Sequence, residues 1–153
     1  KLLNVNKFIW LSKGIVTYDT HGHIDVIRTF SSENTIMTAI ENNKKDENYQ
    51  ILKKNLRILK GAKNSNGKKF RIIKIPMPKP ILFDKVRVPA SYMNFLICNK
   101  IVLLPIFNDK WDLKVIKIFK KFFKNKKIVG IDCSKLIWGF GAVHCMTQQE
   151  PKI

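Results

Sequence analysis

The chain has 153 residues, 45% of them hydrophobic, which is enough for one compact domain and too apolar for a disordered tail. It carries 29 Lys and Arg against 11 Asp and Glu, a net charge of +18, but only four of the basic residues are Arg. Readers of nucleic-acid sequence depend on the bidentate Arg fork, and these lysines are scattered. A nucleic-acid partner is therefore the weaker interpretation of the charge, although +18 favours non-specific phosphate contact.

The cysteine content and the first residue indicate the setting of the protein. Three cysteines without a C-x-x-C pair predict neither a disulfide framework nor a zinc site, so we expect a reducing, cytoplasmic setting and no cofactor. Cys98 and Cys133 lie in apolar segments and are expected to be structural. No apolar run reaches the roughly 18 residues of a membrane helix, and no export leader opens the sequence. The first residue is Lys1 rather than Met, which suggests a piece of a longer protein.

The first half of the chain predicts three short strands, a helix and a fourth strand. Residues 7–11 are predicted as a short buried strand and residues 24–30 alternate as a strand does, whereas residues 35–40 fit either a strand or the start of a helix. A cap-like acidic group and apolar residues at helical spacing predict a helix over 46–61. An Asn-Gly turn then leads into a strand at 70–75.

The second half repeats this order after an extended segment with three prolines. The predicted elements are a hairpin of residues 92–98 and 101–107, a helix at 109–123, a strand at 127–131 and a glycine-spaced turn at 137–147. No linker divides the chain. The sequence therefore predicts a mixed α/β architecture of two repeated modules.

The first candidate for chemistry is the segment H-G-H-I-D at residues 21–25. On a strand, residues two apart share a face, so His23 and Asp25 are predicted to project into one site. A surface His–Asp pair without a function is the ordinary alternative. A metal site at His21, His23 and Asp25 is not predicted, because no further acidic cluster supports it.

The second candidate is the segment G-F-G-A-V-H-C at residues 139–145. Its alternate glycines, Gly139 and Gly141, let the backbone approach a neighbour or a ligand closely. If the segment is a strand, His144 and Cys145 face opposite sides, so His144 is expected to pack away from the thiol. Taken alone, Cys145 fits a buried structural cysteine. Together, Cys, His and Asp are the groups that attack an electrophilic carbon and hold a cationic substrate.

Five segments of this sequence occur together in one known family. They are W-L-x-x-G-I, T-H-G-H-I-D-x-x-R-x-F, A-S-Y-x-N-F, V-L-L-P-x-F-x-D and G-x-G-x-V-H-C-M-T-Q-Q-x-P, in that order along nearly the whole chain. The sequence thereby resembles the agmatine deiminase family, which groups with the bacterial peptidylarginine-deiminase-like proteins in the pentein, or guanidino-group-modifying, superfamily. Tyr92 and Asn94 fall in the third segment, and no catalytic role is assigned to them.

The resemblance implies an α/β propeller of five pseudo-symmetric ββαβ-type modules around a narrow central site. The chain would hold about two to three of the five modules, a partial pentein propeller. Residues 1–153 are thus expected to be the C-terminal part of a single catalytic domain whose N-terminal half is absent. Exposed strand edges where modules are missing predict binding to that half or self-association.

The resemblance also implies a role for each candidate residue. Cys145 would be the nucleophile, His23 the general acid and base, and Asp25 the clamp on the guanidinium, with Gly139 and Gly141 beside the substrate. The implied reaction is hydrolysis of agmatine to N-carbamoylputrescine and ammonia through a covalent amidino-thioether, a step of putrescine and polyamine biosynthesis.

Two departures from the family pattern bear on activity and substrate. Phe140 and Ala142 stand where the family commonly has a Gly and an Asn, so peptidyl-arginine stays an alternative to agmatine. The family's second guanidinium-binding carboxylate lies in the absent half, so little or no activity is expected of this chain alone. A non-catalytic remnant that serves as an interaction module is the other alternative.

Overall fold

The first half of the chain folds into a β-β-α-β unit. The computed structural model describes residue 5 and residues 7–16 and 22–150. Strand β1 (Arg28–Ser32) runs antiparallel to β2 (Thr35–Ile40), with Phe30 opposite Ile36. Helix α1 (Asn48–Gly61) then crosses over, and β3 (Arg71–Pro76) lies parallel to β2.

A second unit of the same topology follows a small antiparallel hairpin. The bounds of these elements are β4 Leu82–Phe83, β5 Val86–Arg87, β6 Leu96–Ile97, β7 Ile101–Ile106, α2 Asp112–Phe122 and β8 Lys127–Asp132. Strand β6 is antiparallel to β7, and β8 is parallel to β7 after the crossover through α2. The mixed α/β architecture and the repeat of a helix followed by a strand are therefore confirmed.

Three predicted strands differ from the structure. Residues 24–30 begin with a 3₁₀ helix, Ile24–Val26, before β1 starts. Residues 92–95 form a turn in front of the short β6, and residues 7–11 belong to no strand in the described part of the chain. In the first two segments a local backbone hydrogen bond closes a turn, since Ile27 N–H donates to Ile24 O at 3.0 Å and Asn94 N–H donates to Ser91 O at 3.2 Å.

Helix α1 shows how the first unit is held together. Its buried face consists of Asn48, Leu52, Asn55 and Leu59, which recur at helical spacing. The two leucines join the apolar core. The two asparagine side chains bond to the backbone of residues 12–16, so the helix fixes a segment that belongs to no strand ladder.

Helix α2 is fastened to the core by aromatic packing and by one buried carboxylate. Phe95 stacks edge-on against Phe119 with ring centroids 4.8 Å apart. The hydroxyl of Tyr92 donates to the carboxylate of Asp112 over 2.5 Å, and burial together with this bond raises the pKa of Tyr92. The turn at residues 91–94 is therefore anchored at a fixed place beside the second unit.

Each three-stranded sheet ends in unpaired strands within the described part of the chain. The strand orders are β1-β2-β3 and β6-β7-β8, so β1, β3, β6 and β8 are edges. Neither sheet closes on itself. Such edges are ready templates for pairing with another chain.

Candidate active site

Cys145 is the middle residue of the 3₁₀ turn His144–Met146 and packs closely against Gly141. A Cβ built on Gly141 would stand 2.7 Å from the Cβ of Cys145 and 3.4 Å from its Sγ. Real Cβ atoms do not approach so closely, so only glycine fits there. Cys145 is exposed, whereas Cys133 is buried and Cys98 is half-buried, so Cys145 is the thiol that a ligand can reach.

Asn94 organises the backbone around this thiol. It is fully buried, and its Oδ1 accepts hydrogen bonds from the backbone N–H groups of Ala142, His144 and Cys145 over 3.1 to 3.3 Å. Its Nδ2 donates to Cys145 Sγ at 3.0 Å and to Asp25 Oδ2 at 2.8 Å. One amide side chain thus fixes the turn, the sulfur and the carboxylate.

Asp25 completes the cluster from the first unit. Its Oδ2 lies 3.4 Å from Cys145 Sγ and 2.9 Å from Nδ1 of His144. Among the described residues, its Oδ1 has no hydrogen-bond partner. The structure therefore brings Cys145 and Asp25 together, although 120 residues separate them in the sequence.

The prediction that His144 packs away from the thiol is wrong. It assumed an extended segment, in which neighbours face opposite sides, but a 3₁₀ turn places successive side chains about a third of a revolution apart. His144 is consequently free to bond to Asp25, with 42% of its side chain exposed. The reading of Cys145 as a buried structural cysteine is also wrong, since this residue is exposed.

The other predicted site residues occupy different positions. His23 is exposed at the N-terminal end of the 3₁₀ helix Ile24–Val26, and its side chain makes no hydrogen bond within the described residues. The strand that was to align it with Asp25 is absent, because the backbone turns there. Gly139 ends the 3₁₀ helix Leu136–Gly139, and a Cβ built on it would meet nothing within 4 Å. His21 lies outside the described residues.

The environment of Cys145 keeps its sulfur protonated at neutral pH. Burial raises the pKa of Cys145, and the neighbouring charge of Asp25 and the hydrogen bond to it add to this effect. The hydrogen bond from Asn94 and one from the backbone of Ala142 act in the opposite direction. Since the thiolate is the nucleophile, this site needs a positive charge to become reactive.

Asp25→Asn is expected to speed the alkylation of Cys145 by the neutral reagent iodoacetamide at pH 8. Removal of the carboxylate charge lowers the pKa of Cys145, so more thiolate is present below that pKa. The neutral reagent reacts with the thiolate, so the rate is expected to rise severalfold. The rate is measured by mass spectrometry of the Cys145 peptide between pH 6 and pH 10. Asp84→Asn, in the β4–β5 turn, is the control, and an unchanged or slower rate in Asp25→Asn would contradict the assignment.

A contact between two glycines positions the loop that carries Asp25. A Cβ on Gly14 would lie 2.0 Å from the Cα of Gly22, and Gly22 has a φ of +92°. The backbone before Gly14 is held in place by Asn55 of helix α1. The side chain of Asn55 accepts from Ser12 N at 2.9 Å and donates to Lys13 O at 2.8 Å. The position of Asp25 is thus set from helix α1 through this glycine contact.

Gly14→Ala is expected to destabilise the chain by about 1–3 kcal/mol, the usual result of inserting a methyl group into a filled space. It should also alter the rate of Cys145 alkylation, since Gly22 and the residues after it must shift. Urea denaturation and the alkylation rate measure the two effects. Gly61→Ala is the matched control, because a Cβ there meets nothing within 4 Å. Equal stability and equal alkylation rates in the two variants would show that the contact between Gly14 and Gly22 does not position Asp25.

The described ranges, 7–16 and 22–150, hold neither a metal-ligand cluster nor a membrane-spanning helix. No group of three or more His, Cys, Asp or Glu side chains there is placed to hold a metal ion. No helix described in this part of the chain has the length and hydropathy needed to cross a bilayer. The site is therefore built from a thiol, a carboxylate, an imidazole and an amide.

Known proteins share both the sequence pattern and the fold on which this cysteine-centred site is built. A family model described as Porphyromonas-type peptidyl-arginine deiminase matches residues 1–151. The chain belongs to this family, and the resemblance read from its motifs is confirmed.

Relatives of known name are similar over almost the whole of this chain. A Latilactobacillus sakei protein, named provisionally as an agmatine deiminase, is 34% identical over 167 residues, which cover 97% of this chain and 46% of that protein. The agmatine deiminase of Medicago truncatula is 31% identical, with coverages of 99% and 46%. The chain therefore spans less than half the length of these relatives.

Solved structures also match nearly the whole of this chain but less than half of their own length. The agmatine deiminase of Enterococcus faecalis superposes with a TM-score of 0.92 and 29% identity, over 98% of this chain and 46% of that one. A C. jejuni agmatine deiminase, solved as a cysteine-to-serine variant with substrate bound, gives a TM-score of 0.84 and 32% identity, with coverages of 94% and 41%. This chain thus has the shape of one part of these larger chains.

Proposed function

We propose that this chain carries the nucleophile-bearing part of a hydrolase that deiminates a guanidino compound, and that the compound is agmatine. The observation that supports this most directly is the 3.4 Å distance between Cys145 Sγ and Asp25 Oδ2, with Asn94 bonded to both. The names of the relatives supply the substrate.

The charges of the site suit a planar cation. A guanidinium is delocalised, resistant to attack and charged at every physiological pH. A carboxylate oxygen of Asp25 accepts its N–H groups in charge-assisted hydrogen bonds, which hold its plane beside the sulfur. The bound cation also lowers the pKa of the Cys145 thiol, so the nucleophile forms when its substrate arrives.

The reaction then proceeds in two halves. The thiolate of Cys145 adds to the guanidinium carbon, the C–N bond to one amino group breaks, and that group leaves as ammonia with a proton from His23. The covalent amidino-thioether that remains is attacked by water, which His23 deprotonates. Breakage of the C–S bond releases the ureido product, N-carbamoylputrescine, and frees the thiol.

Two histidines have different parts in this proposal. His23 is exposed and stands two residues before Asp25, so it can exchange protons with the leaving group and with water. His144 bonds through Nδ1 to Asp25 at 2.9 Å. It holds the carboxylate in place before substrate binds.

The site of this chain alone is incomplete for such a substrate. One carboxylate fixes a guanidinium less well than two, and orientation can contribute about 7–11 kcal/mol to lowering a barrier. We propose that residues 1–153 are the C-terminal part of a single catalytic domain, and that the remaining part supplies the second carboxylate. The two ββαβ units would then be modules of a five-module propeller.

The test uses agmatine and measures ammonia and N-carbamoylputrescine. The chain alone is expected to show little turnover, and addition of the complementary part of a family member is expected to restore it. Cys145→Ser should abolish the restored activity, whereas Cys98→Ser, which alters a half-buried thiol, should leave it unchanged. Turnover by the chain alone at the common rate of about 10 s⁻¹ would contradict the missing carboxylate. Activity that survives Cys145→Ser would contradict the nucleophile.

A further inference from the structure

Phe140 has a backbone conformation that is rare for a large side chain. Its φ of 59° and ψ of 19° lie in the left-handed region, where the Cβ atom crowds a carbonyl oxygen and glycine is the usual residue. The next residue is Gly141, which packs against Cys145. A residue strained in this way keeps its conformation only where its surroundings hold it. The turn that meets the thiol is therefore held from outside.

The two residues at positions 137 and 138 supply contacts that hold Phe140. Ile137 is fully buried, and its carbonyl oxygen accepts from Phe140 N–H at 2.9 Å. Trp138 stacks on Phe83, with ring centroids 5.0 Å apart and an angle of 23° between the ring planes. The 3₁₀ helix Leu136–Gly139 is thus fastened to the core through Ile137 and to strand β4 through Trp138.

The β4–β5 hairpin gives Phe83 a fixed position. Residues 84 and 85 both have a positive φ, and a two-residue turn of this kind suits the twist of the strands that it joins. Arg87 donates from both terminal nitrogens to the two carboxylate oxygens of Asp46, each over 3.0 Å. Asp46 Oδ1 also accepts from the N–H of Asn48, where helix α1 begins. The hairpin is therefore tied to the first unit of the fold.

We propose that the stack of Phe83 on Trp138 positions the thiol of Cys145. The stack holds the preceding 3₁₀ helix, keeps Phe140 in the left-handed conformation and thereby sets Gly141 against Cys145. Phe83 and Trp138 act through the backbone of this turn, so they are positioning residues and not catalytic ones. The inference rests on the proposed function, because that function makes the reaction depend on where the sulfur lies.

Loss of the stack has a definite sign at the thiol. Without it, Phe140 relaxes to an ordinary φ and Gly141 withdraws from Cys145. Burial and Asp25 raise the pKa of Cys145, so a sulfur released from both has a lower pKa. Iodoacetamide then reacts faster at pH 8, since the thiolate is the reacting form. A stack that served stability alone would leave this pH dependence unchanged.

The experiment measures alkylation of Cys145 between pH 6 and pH 10, by mass spectrometry, together with denaturation in urea. Trp138→Ala and Phe83→Ala break the stack from either side, and Trp138→Phe keeps a ring there. Leu82→Ala is the matched control, because Leu82 lies on the same strand and is 61% exposed. Cys133 is fully buried, so its alkylation in the same digest reports unfolding.

A second background tests the role of Phe140. Glycine adopts the left-handed conformation without strain, so a chain with Phe140→Gly no longer needs the stack to hold this turn. Trp138→Ala is therefore expected to change the pH profile much less in that background, although it still lowers stability.

Trp138→Ala and Phe83→Ala are expected to react severalfold faster at Cys145 at pH 8, with the midpoint of the pH profile lowered. Trp138→Phe and Leu82→Ala should keep the profile of the unaltered chain. An unchanged profile in Trp138→Ala, or the same change with Phe140→Gly present, would overturn the proposal. So would equal acceleration at Cys133, which would mean unfolding of the chain. A stack-dependent profile without agmatine turnover by the restored enzyme would leave the positioning role intact and count against the proposed function alone.

Discussion

Asn94→Ala is expected to lower the free energy of unfolding by about 2–4 kcal/mol and to disorganise the cysteine site. The substitution leaves three backbone N–H groups, those of Ala142, His144 and Cys145, without the oxygen they share. Each buried donor without an acceptor costs about 1–3 kcal/mol, less where water enters. It also removes the donor to Cys145 Sγ, so the pKa of Cys145 rises further and alkylation at pH 8 slows.

Asn94→Asp separates the two effects. The carboxylate keeps the oxygen that accepts from the turn but adds a negative charge beside Asp25 and Cys145. Alkylation of Cys145 is expected to slow as in Asn94→Ala, while chemical denaturation shows a smaller loss of stability at pH 5 than at pH 8. In the restored enzyme we expect either variant to lose about a hundredfold in rate or more, as misplaced catalytic groups do. Normal stability and normal thiol reactivity in Asn94→Ala would refute the organising role of this amide.

Gly141→Ala is expected to displace Cys145, with a loss of about 1–3 kcal/mol in stability. The added methyl carbon would lie 2.7 Å from the Cβ of Cys145, so the thiol must move away from Asn94 and Asp25. A displacement of about 1 Å at a reacting group can reduce the rate about a hundredfold. Turnover of agmatine by the restored enzyme and denaturation in urea measure the two losses.

Gly139→Ala is the matched control for this prediction. It adds the same methyl group two residues earlier, where nothing lies within 4 Å, and neither glycine has the left-handed φ that excludes side chains. We expect Gly139→Ala to keep its stability within about 0.5 kcal/mol. Equal losses in the two variants would mean that the whole turn, and not the contact with Cys145, is sensitive.

The periodicity of apolar residues predicted the repeat of helices and strands, because an element that buries one face carries apolar residues at its own spacing in any protein. Helix α1 follows from the spacing of Leu52 and Leu59, which are buried in the structure. Periodicity left residues 35–40 open between a strand and the start of a helix, and the structure makes them strand β2. The asparagines on the same helix face could not be predicted, because a buried amide depends on which loop passes over it. Asn48 and Asn55 are read as surface residues until residues 12–16 are placed.

The cysteine site was predictable in its residues but not in its geometry. The motifs at residues 20–30 and 139–151 identified Cys145 and Asp25 as candidates. The orientation of His144 was predicted wrongly, because neighbouring side chains point to opposite faces only on a strand and the backbone forms a turn there. Asn94 was missed as an organising residue. Its place in the segment A-S-Y-x-N-F was the available signal, but the need for one acceptor for three N–H groups appears only once the turn is folded.

The prediction of a buried strand at residues 7–11 is wrong. Phe8 and Trp10 are 61% and 82% exposed, and no ladder forms there in the described structure. An apolar run shows that a segment favours burial, but pairing is a property of two segments and cannot be read from one of them.

The most direct test of the account compares two reagents for Cys145, the cationic 2-chloroacetamidine and the neutral 2-chloroacetamide. Their rates are measured by mass spectrometry of the Cys145 peptide, and glutathione gives their intrinsic ratio. If Asp25 holds a planar cation beside the thiol, the amidine should be favoured about tenfold or more over that intrinsic ratio. The preference should vanish in Asp25→Asn, although the same variant reacts faster with the neutral reagent. An amidine preference no greater than that of glutathione, or one that persists in Asp25→Asn, would show that this cluster is not a site for guanidino compounds.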